Sequence, residues 1–252
     1  MKIYRFLHQG TPRIGVGEND RLWRYDGTDV FHIGKIEDAR PVPLAEARLV
    51  PPLMPGKIIC VGRNYADHAK ELGNEAPAEP MLFLKPPSAV LAPGGTIQRP
   101  AISERVDFEG ELAIVIGREA KAIDEARWTE YVFGYTCAND VTARDLQKKD
   151  VQFTRGKGFD TFCPLGPCIE TKLDVSDLRV ATRVNNEVRQ EGRTSQMIFT
   201  PGFLVAYISN IMTLFPGDVI LTGTPSGVGP MAAGDSVEVE IEGIGTLRNA
   251  VA

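Results

Sequence analysis

Acidic residues alternate along one stretch of the sequence, at Asp107, Glu109 and Glu111. The stretch VDFEGELAIVIG, residues 106–117, has the period-two pattern of a β-strand. Because residues two apart on a strand point the same way, Glu109 and Glu111 can direct their oxygens at one point. Such close like charges raise each other's pKa unless a cation lies between them, and Mg²⁺ prefers carboxylate oxygen. A metal site and an ordinary solvated strand end are both open interpretations.

A histidine and a glutamate share one face of a predicted short helix in CVGRNYADHAKELG. Asn64 is the expected N-cap, and Gly73 is expected just after the last turn. His68 and Glu71 are three residues apart, so the carboxylate can hold the imidazole and raise its basicity. The other two histidines lie near the N-terminus, which leaves His68 as the only histidine base for the rest of the chain. An incidental surface pair is the alternative.

Three further segments contain candidate site residues. Asp140 follows the predicted strand YVFGYTCAN, where a carboxylate can cap a helix or serve as a third acidic ligand. Lys157 is flanked by glycines, which allow close approach to a ligand and also suit a plain loop. In GTPSGVG, Thr224 and the backbone N–H groups could hold a substrate carboxylate. This segment is not a P-loop, because no Lys-Ser or Lys-Thr follows its last glycine.

Short strands separated by turn residues must position these side chains. Residues 1–52 are predicted to form a small β-rich N-terminal domain, followed at residues 50–57 by the proline-rich linker VPPLMPGK. Residues 53–252 are predicted to form the catalytic domain, with a hairpin turning at Asn185-Asn186 and a helical period over residues 200–214. Many strands without βαβ alternation predict a mainly β, mixed α+β architecture.

Composition excludes several classes of protein. The 252 residues are 43% hydrophobic and 24% charged, which suits a globular chain with a large core. A net charge of −5 without a basic patch predicts no nucleic-acid partner. We expect no membrane span and no signal peptide, because no long apolar run is present and MKIYRFLHQG lacks an apolar core. Four cysteines without a CxxC motif predict reduced thiols in a cytoplasmic protein, with a Cys163–Cys168 disulfide disfavoured.

Seven segments, taken in order from Lys57 to about Val251, resemble the fumarylacetoacetate hydrolase family. The resemblance implies a β-sandwich roll, a divalent metal cofactor and a homodimer. The matching segments are VGRNYADHAKE, FLKPPSAV, VDFEGELAIVIG, YTCANDVTARDLQ, RGKGFDTFCPLGP, RVNNEVRQEGRTSQMIF and GDVILTGTPSGVGP.

The resemblance also implies roles for individual residues of this sequence. It assigns Asp107 no ligand role, and we expect that residue to be structural. The implied metal ligands are Glu109, Glu111 and Asp140. The implied catalytic residues are His68 and Glu71, as a water-activating pair on a lid segment, together with Lys157. The implied substrate-adjacent residues are Arg63, Gln147 and Thr224.

The function implied by the resemblance is chemistry on 2-oxo or 2-hydroxy-enoic carboxylates through a metal-bound enolate, with Mg²⁺ expected and Mn²⁺ or Ca²⁺ as alternatives. We expect hydrolytic C–C cleavage of an acylpyruvate or fumarylpyruvate, because the His-Glu pair is intact. The alternatives are isomerisation of 2-hydroxyhepta-2,4-diene-1,7-dioate in aromatic compound catabolism, and decarboxylation of that substrate type or of oxaloacetate. A catalytically silent metal-binding protein on the same fold is an alternative of another class. The expected partner is a small 2-oxo acid or diacid.

Overall fold

The computed structural model describes residues 1–27, 29–37, 40–71, 73 and 75–252. Strands dominate this part of the chain, as the sequence predicts. They are, in chain order, β1 (Lys2–His8), β2 (Thr11–Glu18), β3 (Arg21–Tyr25), β4 (Val42–Pro43), β5 (Arg48–Val50), β6 (Ile58–Gly62), β7 (Met81–Lys85), β8 (Val90–Leu91), β9 (Thr96–Ile97), β10 (Val106–Phe108), β11 (Gly110–Ile116), β12 (Val132–Asn139), β13 (Thr142–Ala143), β14 (Cys163–Glu170), β15 (Arg179–Val184), β16 (Glu187–Arg193), β17 (Val219–Leu221), β18 (Gly229–Pro230), β19 (Ser236–Ile241) and β20 (Gly245–Val251).

The helices are few and short. Within the described ranges the α-helices are α1 (Ala66–Glu71), α2 (Arg144–Lys149), α3 (Thr154–Lys157) and α4 (Pro201–Ile211), and the 3₁₀ helices are Leu44–Glu46, Pro87–Ala89, Glu125–Glu130 and Thr194–Gln196. The helix α4 begins after Thr200, whose hydroxyl accepts the Phe203 N–H, with proline in the first turn. No helix of the described residues is long and apolar enough to cross a membrane.

The described residues form three sheets. The twelve-stranded sheet follows the order β4-β3-β2-β1-β14-β12-β11-β17-β6-β7, with β5 added against β1 and β8 against β14. The five-stranded sheet has the order β16-β15-β19-β20-β9, and the small sheet has the order β13-β10-β18. Most pairs are antiparallel, and the parallel pairs are β17 with β6, β14 with β8 and β20 with β9. The architecture is therefore mainly β with a few helices, and not a doubly wound sheet.

Residues 1–52 extend the large sheet. The strand β1 pairs with β14, where Lys2 lies opposite Glu170 and Ile3 opposite Ile169. It also pairs with β2 along its whole length and with β5 through Arg5, Phe6 and Leu7. The hydrogen bonding of the large sheet thus continues from the first 50 residues into the rest of the chain.

The strand β11 is buried on both faces. Leu112, Ile114 and Ile116 pack in the core between the large sheet, the five-stranded sheet and α4. Ala113 and Val115 on the other face belong to a second core cluster. Complete burial of a branched aliphatic side chain contributes roughly 1.5–3 kcal/mol, so this strand is a rigid support for its acidic end.

The predicted single strand over residues 106–117 is interrupted. Glu109 lies between β10 and β11, and these two strands belong to different sheets. The Glu109 N–H donates to Asn139 Oδ1 at 2.9 Å, and its carbonyl accepts the Asp140 N–H at 2.8 Å. The chain therefore changes sheets at one of the acidic residues, and the local sequence pattern could not show this because both halves keep the same alternation.

The predicted hairpin is confirmed, and the four cysteines are buried free thiols. β15 and β16 form an antiparallel pair, and Asn185 and Asn186 both take the left-handed backbone conformation that a tight hairpin turn requires. Cys163 and Cys168 are buried free thiols, so the disfavoured disulfide between them is absent, and the other two cysteines are also buried and free.

Candidate active site

One cavity of about 530 Å³ brings the predicted site residues together. It opens beside the acidic end of β11 and is walled by α1, β7, α2 and the loop after β17. All nine residues that the resemblance implied line it, namely Arg63, His68, Glu71, Glu109, Glu111, Asp140, Gln147, Lys157 and Thr224.

Three carboxylates converge inside this cavity. Glu109, Glu111 and Asp140 each offer an oxygen, and these oxygens all lie within 4.8 Å of one another. The register of β11 against β12 explains the arrangement, because Gly110 lies opposite Asn139 and Asp140 therefore follows directly beside Glu109. All three side chains are buried. The three carboxylates therefore converge away from bulk water, as side chains that share one cation must.

The charge balance of the three carboxylates is uneven. Burial raises the pKa of Glu111, and the neighbouring Asp140 and Glu109 raise it further. Burial alone would also raise the pKa of Glu109, but Lys157 and Arg144 outweigh burial and lower it. The nearby positive charges therefore compensate the carboxylate of Glu109 but not that of Glu111. Three buried carboxylates of this kind can hold a divalent metal ion, and their all-oxygen chemistry suits a hard cation.

Lys157 lies against two of the three carboxylates. It ends the short helix α3, and its Nζ is 2.8 Å from Glu109 Oε2 and 2.7 Å from Asp140 Oδ2. Burial would lower the pKa of Lys157, but Asp140 and Glu109 outweigh it and raise the pKa. Lys157 is therefore a fixed positive charge inside the cavity.

A second lysine, which was not predicted from the sequence, lies against the carboxylates. Lys85 ends β7, is fully buried, and donates from Nζ to Asp140 Oδ1 at 2.6 Å and to the Val141 carbonyl at 3.2 Å. The available signal was a lysine at the end of the apolar run MLFLK, since a lysine on a buried strand is almost always paired.

Arg144 is another missed residue of the cavity wall. It is buried, and its guanidinium donates to Glu109 Oε1 at 2.5 Å, to Asp107 Oδ2 at 2.8 Å and to Gln147 Oε1 at 2.7 Å. Asp107 also accepts from Arg105 at 2.8 Å. Asp107 thus holds two arginines beside the site, and Gln147 in the cavity lining orients one of them, Arg144.

His68 and Glu71 face each other on α1 as predicted. His68 is buried, with Nδ1 at 3.5 Å from Glu71 Oε2. Burial lowers the pKa of His68, more than the nearby Glu109 and Glu71 raise it, so the imidazole is neutral near pH 7. Both Glu71 oxygens also accept the Gly227 N–H at 3.1 Å, which connects α1 to the loop after β17.

The predicted N-cap role of Asn64 is wrong. Its amide donates to the Phe199 carbonyl at 3.0 Å and the Thr222 carbonyl at 2.7 Å, and its Oδ1 accepts the Phe199 N–H at 2.7 Å. Local sequence indicates a cap, but these partners lie far along the chain. Asn64 instead joins α1 to two distant segments. Gly73 does take the left-handed conformation expected at a helix end, with φ of 72°.

The loop after β17 contacts the acidic cluster through its backbone. The Gly223 N–H donates to Glu111 Oε2 at 2.6 Å. The Thr224 hydroxyl donates to the Gly110 carbonyl at 2.8 Å and accepts from Gln190 Nε2 at 2.7 Å. The predicted substrate-holding loop therefore supports Glu111 and the adjacent peptide as well as lining the cavity.

Comparison with known protein families agrees with this fold and with its carboxylate cluster. The family model for the C-terminal domain of fumarylacetoacetate hydrolase matches residues 57–252, and a model named for the N-terminal region of Rv2993c-like proteins matches residues 1–52. The chain belongs to the fumarylacetoacetate hydrolase family.

Individual relatives are similar over most of this chain. Protein Rv2993c of Mycobacterium tuberculosis is 54% identical over 215 residues, covering 84% of this chain and 81% of that protein. Oxaloacetate tautomerase YisK of Bacillus subtilis is 45% identical over 223 residues, covering 82% of this chain and 74% of that protein. The crystal structure of 5-carboxymethyl-2-hydroxymuconate delta-isomerase from Mycobacterium smegmatis is 47% identical with a TM-score of 0.89, covering 100% of this chain and 98% of that chain.

Proposed function

We propose that this protein is a divalent-metal-dependent enzyme that moves a proton within a 2-oxo dicarboxylate, interconverting keto and enol forms or shifting a double bond. The observation on which the proposal depends is the convergence of Glu109, Glu111 and Asp140 beside Lys157 and a neutral His68. Two relatives support the reaction type, since one is named an oxaloacetate tautomerase and another a delta-isomerase.

The charges of the cavity support a substrate with two carboxylates. With a divalent cation bound, the lining has a net positive charge, which attracts and orients a dianion. The cationic side chains of the lining are Arg63, Arg105, Arg144, Lys148 and Lys157, and the anionic ones are Glu71, Glu109, Glu111 and Asp140.

Glu109, Glu111 and Asp140 would hold the metal ion, and Mg²⁺ is the proposed ion because all three donors are carboxylate oxygens. A bound Mg²⁺ supplies Lewis-acid stabilisation of negative charge that develops on a substrate oxygen. Mn²⁺ and Ca²⁺ accept the same donors.

The residues of the chain provide the proton transfer. His68 is neutral, and its Nδ1 faces Glu71, so Nε2 is the nitrogen that accepts the proton from the carbon next to the keto group. The electron pair of that C–H bond forms a carbon–carbon double bond, and the π pair of the carbonyl moves to the keto oxygen, where Lys157 and Arg144 would offset the negative charge. Return of the same proton to oxygen gives the enol, and its return to another carbon gives the double-bond isomer.

Hydrolytic C–C cleavage is the second candidate function. The His68–Glu71 pair favours it, because a neutral imidazole with a carboxylate 3.5 Å from its Nδ1 can also take a proton from water. The resulting hydroxide would attack a distal carbonyl of an acylpyruvate, and the C–C bond electrons would leave as the pyruvate enolate. Hydrolysis and isomerisation thus share the same enolate-stabilising groups and differ in whether water is consumed.

Product analysis with and without metal tests the proposal. The protein is stripped with EDTA, restored with Mg²⁺, and given oxaloacetate enol, a 2-hydroxymuconate diacid or an acylpyruvate. We expect metal-dependent decay of the enol absorbance with no release of pyruvate. Pyruvate with CO₂ would indicate decarboxylation, and pyruvate with an ¹⁸O-labelled acid from labelled water would indicate hydrolysis. No metal-dependent rate on any of the three substrates would overturn the proposal and favour a catalytically silent metal-binding protein.

A further inference from the structure

Gln190 connects the five-stranded sheet to the cavity wall from behind. It lies on β16, in the hairpin of the RVNNEVRQEG segment, and its side chain is buried with the residue 1% exposed. Its Oε1 accepts the Gly110 N–H at 3.0 Å. Its Nε2 donates to Thr224 Oγ1 and to the Pro225 carbonyl, both at 2.7 Å. One amide therefore joins a strand and a loop that are distant in sequence.

Gly110, the first residue of β11, lies between the acidic residues Glu109 and Glu111. Its N–H is held by Gln190 and its carbonyl by the Thr224 hydroxyl, at 2.8 Å. A side chain cannot be added here, because a Cβ on Gly110 would lie 2.1 Å from Thr182 Oγ1 on β15. Gly110 is thus in close contact with the five-stranded sheet, and its two neighbours Glu109 and Glu111 point away from that sheet into the cavity.

The loop side of the contact leads to the same carboxylates. Gln190 holds Thr224 and Pro225, and the preceding residue Gly223 donates its N–H to Glu111 Oε2 at 2.6 Å. Glu111 is therefore fixed through its own strand and through the loop, and Gln190 contacts both supports. Groups that hold ligands in this way tune a metal site without touching the ion.

We infer that Gln190 is a positioning residue of the carboxylate site, which sets the direction of Glu109 and Glu111 by clamping Gly110 against the Gly223–Pro225 loop. The inference rests on the proposed function, because it concerns the proposed metal ligands. It gives the RVNNEVRQEG hairpin, which the proposed reaction does not use, a role in metal affinity through the residues that support the ligands.

The test compares Gln190→Met with Thr194→Val in the full chain. Thr194 is a matched control, because it directly follows β16 and its hydroxyl is also buried, accepting the Leu178 N–H and donating to the Val175 carbonyl, away from the cavity. Both variants lose buried hydrogen bonds and should lower Tm. Binding of Mn²⁺ alone is then titrated by electron paramagnetic resonance. We expect Gln190→Met to bind Mn²⁺ about 10- to 100-fold more weakly than wild type, and Thr194→Val to bind it equally well.

A conservative variant and a metal-free measurement complete the test. Gln190→Glu, when protonated, still accepts from Gly110 and donates one hydrogen bond, so its affinity should lie closer to wild type than that of Gln190→Met. Amide exchange at Gly110, followed by NMR without metal, should accelerate in Gln190→Met and not in Thr194→Val. Unchanged Mn²⁺ affinity and Gly110 exchange in folded Gln190→Met would overturn the inference, and so would a Gln190→Glu affinity no closer to wild type than that of Gln190→Met. A wild-type chain that binds no Mn²⁺ would instead overturn the proposed metal site, and the inference with it.

Discussion

Lys85 and Asp140 form an ion pair that is sealed from solvent, with 2.6 Å between Nζ and Oδ1 and side-chain exposures of 0% and 1%. Asp140 uses its other oxygen, Oδ2, toward Lys157 at 2.7 Å. Two buried cations thus share one carboxylate. Removal of one partner from a buried pair typically costs about 3–5 kcal/mol, because the remaining charge is left uncompensated.

Replacement of Lys85 should therefore make stability depend on metal. We expect Lys85→Met to lower Tm in the absence of metal. We also expect Mg²⁺ to raise the Tm of Lys85→Met more than it raises the Tm of wild type, because the ion replaces the missing positive charge near Asp140. Thermal unfolding with and without Mg²⁺ measures this. Lys57→Met is the control, since Lys57 pairs with the buried Asp218 outside the cavity and Mg²⁺ should not repair that loss. Equal Mg²⁺ shifts in both variants would contradict the prediction.

Glu109→Gln should remove metal binding and turnover together. The substitution keeps the size of the side chain but removes a ligand charge and leaves Lys157 and Arg144 without a shared partner. Replacing a residue that only supports a ligand typically lowers metal affinity by about 10- to 100-fold. Because Glu109 is itself a proposed ligand, we expect its replacement to lower metal affinity by more than about 100-fold. Calorimetric titration and rate measurements on the same samples check it. Glu130→Gln, at an exposed pair with Arg127, should behave as wild type.

The rate should have an acidic limb set by His68. Burial lowers the pKa of His68 from its ordinary value near 6.5, and only the neutral imidazole can accept a proton. Activity should therefore be retained at neutral pH and be lost as pH falls through a midpoint below 6.5. Because Glu71 raises the pKa of His68, Glu71→Gln should move the midpoint to lower pH still. A profile of kcat/KM against pH measures both, and a midpoint that rises in Glu71→Gln would show that another group titrates.

The cysteines should be unreactive in the native protein. Burial raises the pKa of all four thiols, that of Cys163 to about 12 and that of Cys168 to about 11. Thiolate is the reactive form, so a disulfide reagent such as DTNB should label the folded chain very slowly and label four thiols after denaturation. Rapid stoichiometric labelling of the native protein would disagree with this packing.

Periodic features of the sequence were predictable because they depend on local geometry. The alternation over residues 106–117 identified the strand that presents the acidic residues, and the Asn185-Asn186 turn identified the hairpin. The family-like segments identified nine side chains that the fold brings to one cavity. The same segments did not show that the chain changes sheets at Glu109, since a sheet change leaves the alternation intact.

Features that depend on distant partners could not be read from the sequence. Asparagine is a common helix N-cap, but the side-chain amide of Asn64 donates its hydrogen bonds to Phe199 and Thr222, which are distant in sequence. Lys85 is an ordinary residue in sequence, and its role follows only from the position of Asp140, 55 residues later. Gln190 likewise shows no local pattern. Each of these side chains is defined by the tertiary contact that satisfies it when buried.

The parallel pairing of β17 with β6 limits the order in which the cavity can assemble during synthesis. β17 lies between β6 and β11, with Val219 opposite Ile58 and Leu221 opposite Ala113. A nascent chain that stops before residue 219 already contains all three carboxylates, but it lacks the strand that joins them to the segment bearing His68. Such long-range pairing forms late. We therefore expect the three carboxylates and His68 to come together only after β17 has been synthesised, so that shorter nascent chains lack the assembled cavity.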